Sequence, residues 1–304
     1  MSAPGPPVVT LAAEPDVADV GLRAKERAEN FPVALRVLPR AVRADLRAVY
    51  DVVRTVDDLG DELAEQRPGH RTAALEAFRA DLARVWSTGS PSSAVLTRLV
   101  PTVRRHSIPL DPFDRLVRAN LADQRVPRYA TFEDLLGYCD LSAAPIGELV
   151  LHIGGAATPE RIALSDRVCA ALQVAEHLQD VAEDRARGRV YLPQDDLAAH
   201  GVAEADLDAP AASPALRALV GALADRVDGL LDSGLPLVAG LTGWSRLAVA
   251  GYVAGGRAAL DGLRRVDGDV LGGSPGVRRR DLLQHVAGVL LAALHPGLRG
   301  RFPC

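Results

Sequence analysis

Lysine is almost missing from this chain. Lys25 is the only one in 304 residues, so 35 − 1 = 34 of the basic residues are arginine. Schiff-base chemistry and the G-K-[ST] phosphate loop both depend on lysine and are therefore disfavoured. Cysteine is sparse: Cys139, Cys169 and Cys304 make an odd set with no C-x-x-C spacing. That argues against a disulfide framework or a zinc knuckle and for free thiols in a reducing, cytoplasmic setting. The seven histidines are scattered, with no H-E-x-x-H pair. Charge of neither sign dominates, 35 − 39 = −4, so neither a general nucleic-acid binder nor a general anionic-membrane binder is expected.

Long apolar runs are also lacking. "LLQHVAGVLLAALHPGL" is interrupted by Gln284 and His285 and ends at Pro296, short of the roughly 20 residues a bilayer span needs. It reads as a core helix, with no transmembrane segment. The opening "MSAPGPPVVTLAAEPDV" has neither the basic nor the apolar region of a signal peptide. A soluble protein is expected, with contact to the inner face of a membrane at most peripheral.

What is present is helix. Residues 1–17 are rich in proline and small residues and read as a loose tail. Residues 18–304 read as one all-α domain. From Gly21 on, runs of Ala, Leu and Arg with three-four spacing alternate with short Gly/Pro punctuation, and no stretch alternates as a sheet would. The breaks expected are 67–70, 87–93, 107–112, 125–129, 154–160, 187–193, 208–214, 233–236 and 272–276. "VLGGSPGVRRRD" lacks the lysine of a phosphate loop and reads as a surface turn before a helix.

Two of these helices carry carboxylates where packing alone would not place them. In "RAVYDVVRTVDDLGDELA" (47–64), Leu46, Val49, Val53, Val56 and Leu63 make a packing face. Beside it run Tyr50, Arg54, Asp57 and Asp61, at i, i+4, i+7 and i+11, on one side of the helix. "ALQVAEHLQDVAEDRARGRVYLP" (171–193) repeats the arrangement with Gln173, Glu176, His177, Asp180, Asp184 and Arg187 before a closing Gly188 and then Arg189 and Tyr191. One such cluster is ordinarily a solvated face. Two suggest facing carboxylates across a cavity. Magnesium prefers oxygen and typically binds one or two carboxylates plus substrate phosphates, and arginine forks suit the remaining phosphate oxygens. The pattern predicts a Mg²⁺ site holding a diphosphate.

The segments "AENFPVALRVLP", "AVYDVVRTVDDLGDE", "YCDLSAAPIGELVLHIGG", "LQDVAEDRARGRVYLP" and "AGGRAALDGLRRVDGDVL" resemble, in order, the motifs of the squalene/phytoene synthase family, over about residues 24–282. Within it, "ENFPVA" and "YCDLSAAPIGELVLH" look nearest to the hydroxysqualene synthase branch. The resemblance implies the all-α isoprenoid-synthase fold with a central cavity and a prenyl diphosphate substrate, presqualene or farnesyl diphosphate. It also implies a sister synthase supplying presqualene diphosphate. By the same resemblance, Asp57, Asp61, Asp180 and Asp184 would hold Mg²⁺. Tyr50, Arg54, Gln173, Arg189 and Tyr191 would surround the diphosphate, and residues 142–147 would break a cavity-lining helix. Phe31, Tyr50, Tyr138 and Tyr252 are candidates to face a carbocation. One position departs from the pattern. Where the family usually has asparagine four residues before the second motif's first aspartate, this chain has Glu176 followed by His177. A glutamate there would be a further Mg²⁺ ligand, or the mark of a changed or lost activity. Open alternatives are a transferase joining two farnesyl diphosphates, a diverged terpene synthase, and a noncatalytic prenyl-diphosphate-binding partner.

Overall fold

The computed structural model describes residues 38–63 and 69–294. The proposed tail and Phe31 lie outside them. The described residues contain no β-strand, only an isolated parallel bridge between Arg128 and Val190. The chain is all-α, as its composition predicts.

Twelve helices follow one another among the described residues: α1 Arg40–Asp57, α2 His70–Ser87, α3 Ala94–His106, α4 Asp111–Asp123, α5 Phe132–Ser142, α6 Ala144–Ile153, α7 Pro159–Gln179, α8 Val181–Ala186, α9 Gln194–Ala199, α10 Pro214–Gly240, α11 Gly243–Arg265 and α12 Arg279–Leu294. Their starts are written locally. Thr131 and Asp134 form a reciprocal capping box on α5. Thr158 and Ser213 cap α7 and α10, each with proline at the first helical position.

Buried side chains form two groups. Leu75, Leu82, Leu96, Leu99 and Phe113 centre one, built on α1, α2, α3, α4 and α6. Leu135, Leu178, Leu216, Leu219 and Leu223 centre the other, on α5, α7, α10 and α11. α4 belongs to both, giving Leu116, Val117 and Leu121 to the first and Ala119 to the second. α6 does the same, with Leu149 and Val150 in the first and Leu151 in the second, so these two helices form the seam of the molecule.

Most expected breaks fall where the chain turns, including the one at 142–147. There α5 ends at Ser142, α6 begins at Ala144, and Ala143 departs from helical geometry (φ −112°, ψ −44°). Gly147 then lets α6 lie close on α7, since a Cβ would sit 2.2 Å from Ser165 Oγ and 2.6 Å from Cys169 Sγ. Three expectations need correction. Residues 233–236 do not break the chain: α10 runs through Pro236, and burial of Leu231, Leu237 and Val238 outweighs the backbone hydrogen bond that proline removes. The packing face of α1 uses Val52, fully buried, with Val53 only half-buried. The segment after Arg279 is not a core helix, since Val289 is the only fully buried residue along α12's described length.

Candidate active site

The first aspartate segment leaves α-helical geometry where its carboxylates lie. α1 ends at Asp57, and Asp58–Glu62 form a single π-helical turn in which Leu63 N donates to Asp58 O at 2.9 Å. Such turns widen the helix and are frequent at functional sites. α4 holds this one in place. A Cβ on Gly60 would lie 2.1 Å from Asn120 Oδ1 and 3.3 Å from its Cβ, so a larger residue would have to push the Asn120 side chain aside. Gln124 Nε2 donates to Gly60 O at 3.0 Å, and Asn120 Nδ2 donates to Asp57 Oδ1 at 3.3 Å. Arg54, one turn before, pairs with Asp58 at 2.7 Å. Burial pushes the Asp57 carboxyl up to about 7, with Asp61 and Asp58 adding to the rise and Asn120 and Arg54 opposing it. Tyr50 is half-buried on the same stripe of α1.

The second segment is broken as well, where the sequence suggests one continuous helix to Gly188. α7 stops at Gln179, Asp180 takes φ −106° and ψ 18°, and α8 starts at Val181. Asp184 N still donates to Asp180 O at 2.8 Å, so the two aspartates keep their one-turn spacing across the break. Gly188, at φ +80°, ends α8 as expected. His177 is buried: Nε2 lies 3.2 Å from Gln173 Nε2, and Nδ1 stands 3.5 Å from Asp184 Oδ2 without a hydrogen bond. Glu176 is exposed at the end of α7, one turn before Asp180. Burial raises the Asp180 carboxyl, as do Glu183 and Asp184, while a hydrogen bond with Ser274 lowers it.

The loop after α8 carries the connection between the segments. Val190 N donates to Pro127 O and Gln194 N to Tyr129 O, both at 3.0 Å, zipping residues 190–194 onto the loop before α5. In an extended stretch, alternate residues face the same side. Arg189 thus reaches Asp61 Oδ1 at 2.8 Å, joining the two aspartate segments directly. Tyr191 stacks on the His177 ring (3.7 Å between centroids, 12° between planes) and on Tyr129 (5.7 Å, 17°). Tyr138 completes a four-ring cluster, 5.3 Å from Tyr129 and 5.7 Å from Tyr191.

At the foot of this cluster stands Asp123, which the sequence reading did not single out. Tyr138 donates to its Oδ2 at 2.8 Å and Tyr191 to its Oδ1 at 3.4 Å. Burial lifts its carboxyl to about 6; Tyr138 and Arg189 oppose the rise, and nearby Asp61 adds to it. Asn120, Asp123 and Gln124, spaced i, i+3 and i+4, form one polar stripe on α4 that the surrounding apolar pattern should have flagged. Tyr138, a candidate to face a cation, thus has its hydroxyl committed to Asp123. Tyr252 lies half-buried on α11, its hydroxyl pushed upward by burial.

The donors around this centre are carboxylate oxygens, suited to a hard cation. Among the described residues no three Asp, Glu, His or Cys side chains converge as a ready-made metal cage. Asp184 Oδ2 is buried and accepts no hydrogen bond. A buried carboxylate oxygen left without a hydrogen bond suits a hard cation such as Mg²⁺, whose shell phosphate oxygens would help complete.

Comparison with known proteins agrees with the geometry. The squalene/phytoene synthase family model matches residues 24–282. The chain is 37% identical over 215 residues to a hydroxysqualene synthase of Rhodopseudomonas palustris, covering 70% of this chain and 71% of that protein. It is 34% identical over 175 residues to a phytoene synthase of Mycobacterium tuberculosis, covering 58% of this chain and 56% of the relative. The crystal structure of squalene synthase HpnC from Alicyclobacillus acidocaldarius superposes with a TM-score of 0.75 at 38% identity, over 82% of this chain and 94% of that one. No described helix is long and apolar enough to cross a membrane. The chain belongs to the squalene/phytoene synthase family.

Proposed function

We propose that this isoprenoid enzyme converts presqualene diphosphate and water into hydroxysqualene, releasing diphosphate in a Mg²⁺-dependent reaction. The observation that carries the reading is the Asp61–Arg189 ion pair, which joins two aspartate segments around one centre. The similarity to a hydroxysqualene synthase directs the choice of reaction.

Asp57, Asp61, Asp180 and Asp184, with Glu176 as a further oxygen donor, would hold Mg²⁺. When bound, Mg²⁺ supplies positive charge to the oxygen on which the leaving diphosphate's negative charge develops. Arg189, Arg54, Tyr50, Tyr191 and Gln173 surround the same group, and the arginine forks favour it over smaller anions. Arg189, paired with Asp61 at 2.8 Å, would give its guanidinium to a phosphate oxygen and leave the Asp61 carboxylate as one of the groups that would hold Mg²⁺. The C–O bond breaks with its electron pair on diphosphate, leaving a cyclopropylcarbinyl cation. A water oxygen bonds to the rearranged carbon and passes its proton to the released diphosphate. No reductant is required. His177, with Nε2 against Gln173 and Nδ1 3.5 Å from Asp184, is placed to orient both side chains.

A second reading has its own support. The phytoene synthase relative favours a transferase that condenses two prenyl diphosphates, here two farnesyl diphosphates to presqualene diphosphate. In the leading reading a sister synthase supplies presqualene diphosphate, and contact with the membrane is peripheral. The deciding experiment incubates purified protein and Mg²⁺ with presqualene or farnesyl diphosphate and follows diphosphate and the organic product. Hydroxysqualene from presqualene diphosphate, abolished by Asp57→Asn or Asp180→Asn, supports the lyase. Product from farnesyl diphosphate alone moves the assignment to a transferase. No release from either substrate sinks the catalytic reading, and activity gained by Glu176→Asn would then identify a chain that has lost it.

A further inference from the structure

α12 is attached by one face. Val289 is buried, Leu290 and Ala293 pack on the core, Asp281 takes Arg265 at 2.7 Å, and His285 Nε2 lies 2.7 Å from Asp261 Oδ2. The opposite face of a surface helix is ordinarily polar. Here it is not. Arg280, Leu283, Ala287, Leu291 and Leu294 fall at i, i+3, i+7, i+11 and i+14, on one side of the helix. Leu283 is 69% exposed, Leu291 45% and Leu294 58%, and all three are among the few large apolar side chains the described surface exposes.

The start of this face is basic. Arg278, Arg279 and Arg280 stand together and exposed in a chain whose overall charge is −4. Asp281 beside them takes both Arg265 at 2.7 Å and Arg280 at 3.1 Å, and no carboxylate lies on the leucine face. Outward leucines behind a cluster of cations are what an interfacial helix presents to lipid. Anionic phospholipid satisfies both parts at once, acyl chains taking the leucines and headgroup phosphates the arginines. A second copy of the same face would offer leucines but no acid for the arginines.

Position adds a reason. The loop before α12 is fastened to the second aspartate segment: Gln179 Nε2 donates to Pro275 O at 2.8 Å, and Ser274 hydrogen-bonds Asp180. We propose that α12 docks the protein on an anionic membrane surface through Arg278–Arg280 and the Leu283/Leu291/Leu294 stripe, setting the aspartate centre beside the bilayer. The purpose of that docking rests on the functional reading above, since a prenyl diphosphate keeps its hydrocarbon in lipid. The docking itself does not require it.

The test is co-flotation of the whole chain with vesicles of phosphatidylcholine alone or mixed with phosphatidylglycerol, at low and high salt and without substrate. The protein should float with the mixed vesicles and be released by salt. Each arginine near an anionic surface contributes roughly fivefold to partitioning, so Arg279→Glu with Arg280→Glu should lower it at least tenfold. Leu283→Ser with Leu291→Ser, on side chains already exposed, should lower it with an unchanged circular dichroism spectrum and Tm. Flotation that is absent, or unchanged in both double variants, overturns the proposal. So does a leucine variant that floats normally but splits a dimer in light scattering, which would make the face a contact between copies. Diphosphate release from detergent-dispersed substrate should persist in all variants. Its absence in the unsubstituted protein would count against the enzymatic reading and leave the flotation result standing.

Discussion

Asp57→Asn should stabilise the metal-free protein at the same time as it abolishes its activity. Burial holds the folded Asp57 carboxyl at about 7 against an ordinary value of 3.8. The folded state therefore binds this proton more tightly than the unfolded chain does. The stability this group contributes is full below pH 3.8 and is lost as pH rises through about 7. Above pH 7 the ionised carboxylate costs about 4 kcal/mol relative to a neutral group, at about 1.4 kcal/mol per pH unit between the two values. At pH 5 the same reckoning leaves about 1.6 kcal/mol. Asparagine is nearly isosteric and carries no charge, so its advantage should grow by roughly 2–3 kcal/mol between pH 5 and pH 8. For a chain of this size that is a Tm difference growing by roughly 5 °C.

Thermal unfolding of both proteins in chelator at the two pH values reads this directly. A variant less stable than the unsubstituted protein at pH 8, or a difference that does not change with pH, would refute the claim that a desolvated carboxylate stands at the end of α1. Adding Mg²⁺ with inorganic diphosphate should reverse the order. The ligands should stabilise the unsubstituted protein and leave the variant unmoved, since ligands that bind only the folded state raise its stability by mass action.

Arg189→Gln should lower kcat/KM by about 10- to 100-fold, the loss expected for a charged hydrogen bond of about 1.5–3 kcal/mol, with the Tm little changed because the pair is partly solvated. Gly60→Ala forces Asn120 aside and should reduce stability by about 1–3 kcal/mol, measured by urea unfolding; an unchanged midpoint would mean that α4 does not brace the π turn. His177→Phe keeps the stack on Tyr191 but loses Gln173 and Asp184. It should fold normally and need several times more Mg²⁺ for half-maximal rate and for diphosphate binding by calorimetry, whereas an effect on Tm alone would make His177 a packing residue.

The helical class and the two aspartate segments were legible because both depend on local spacing. Asp57/Asp61 and Asp180/Asp184 repeat at i, i+4, and Gly188 closes its helix as a C-terminal glycine does. The π turn at Asp58–Glu62 and the break at Asp180 were not legible, because neither contains a proline and a lone glycine such as Gly60 does not by itself end a helix. They are fixed from outside, by Asn120 and Gln124 on one and the contacts of Ser274 and Pro275 on the other. Pro236 shows the converse, a strong local stop overridden by burial along α10. The leucines of α12 misled for a related reason: apolar content predicts burial only when a partner surface exists, and hydropathy does not reveal which face has one.

Asp123 shows why the site needs more than its two aspartate segments. α1 belongs to one buried group and α7 to the other, so carboxylates on their ends would drift relative to each other unless something spans the seam. α4 spans it. Asn120 and Gln124 hold the first segment from one turn of that helix, and Asp123, between them in sequence, holds Tyr138 and Tyr191 beside the second. Tyr191 in turn carries His177, and His177 lies against Asp184. A side chain moved by even 1 Å can cost two orders of magnitude in rate. The carboxyl of Asp123, lifted to about 6 by burial, is thus tolerated because its two tyrosine donors fix the distance on which the paired segments depend.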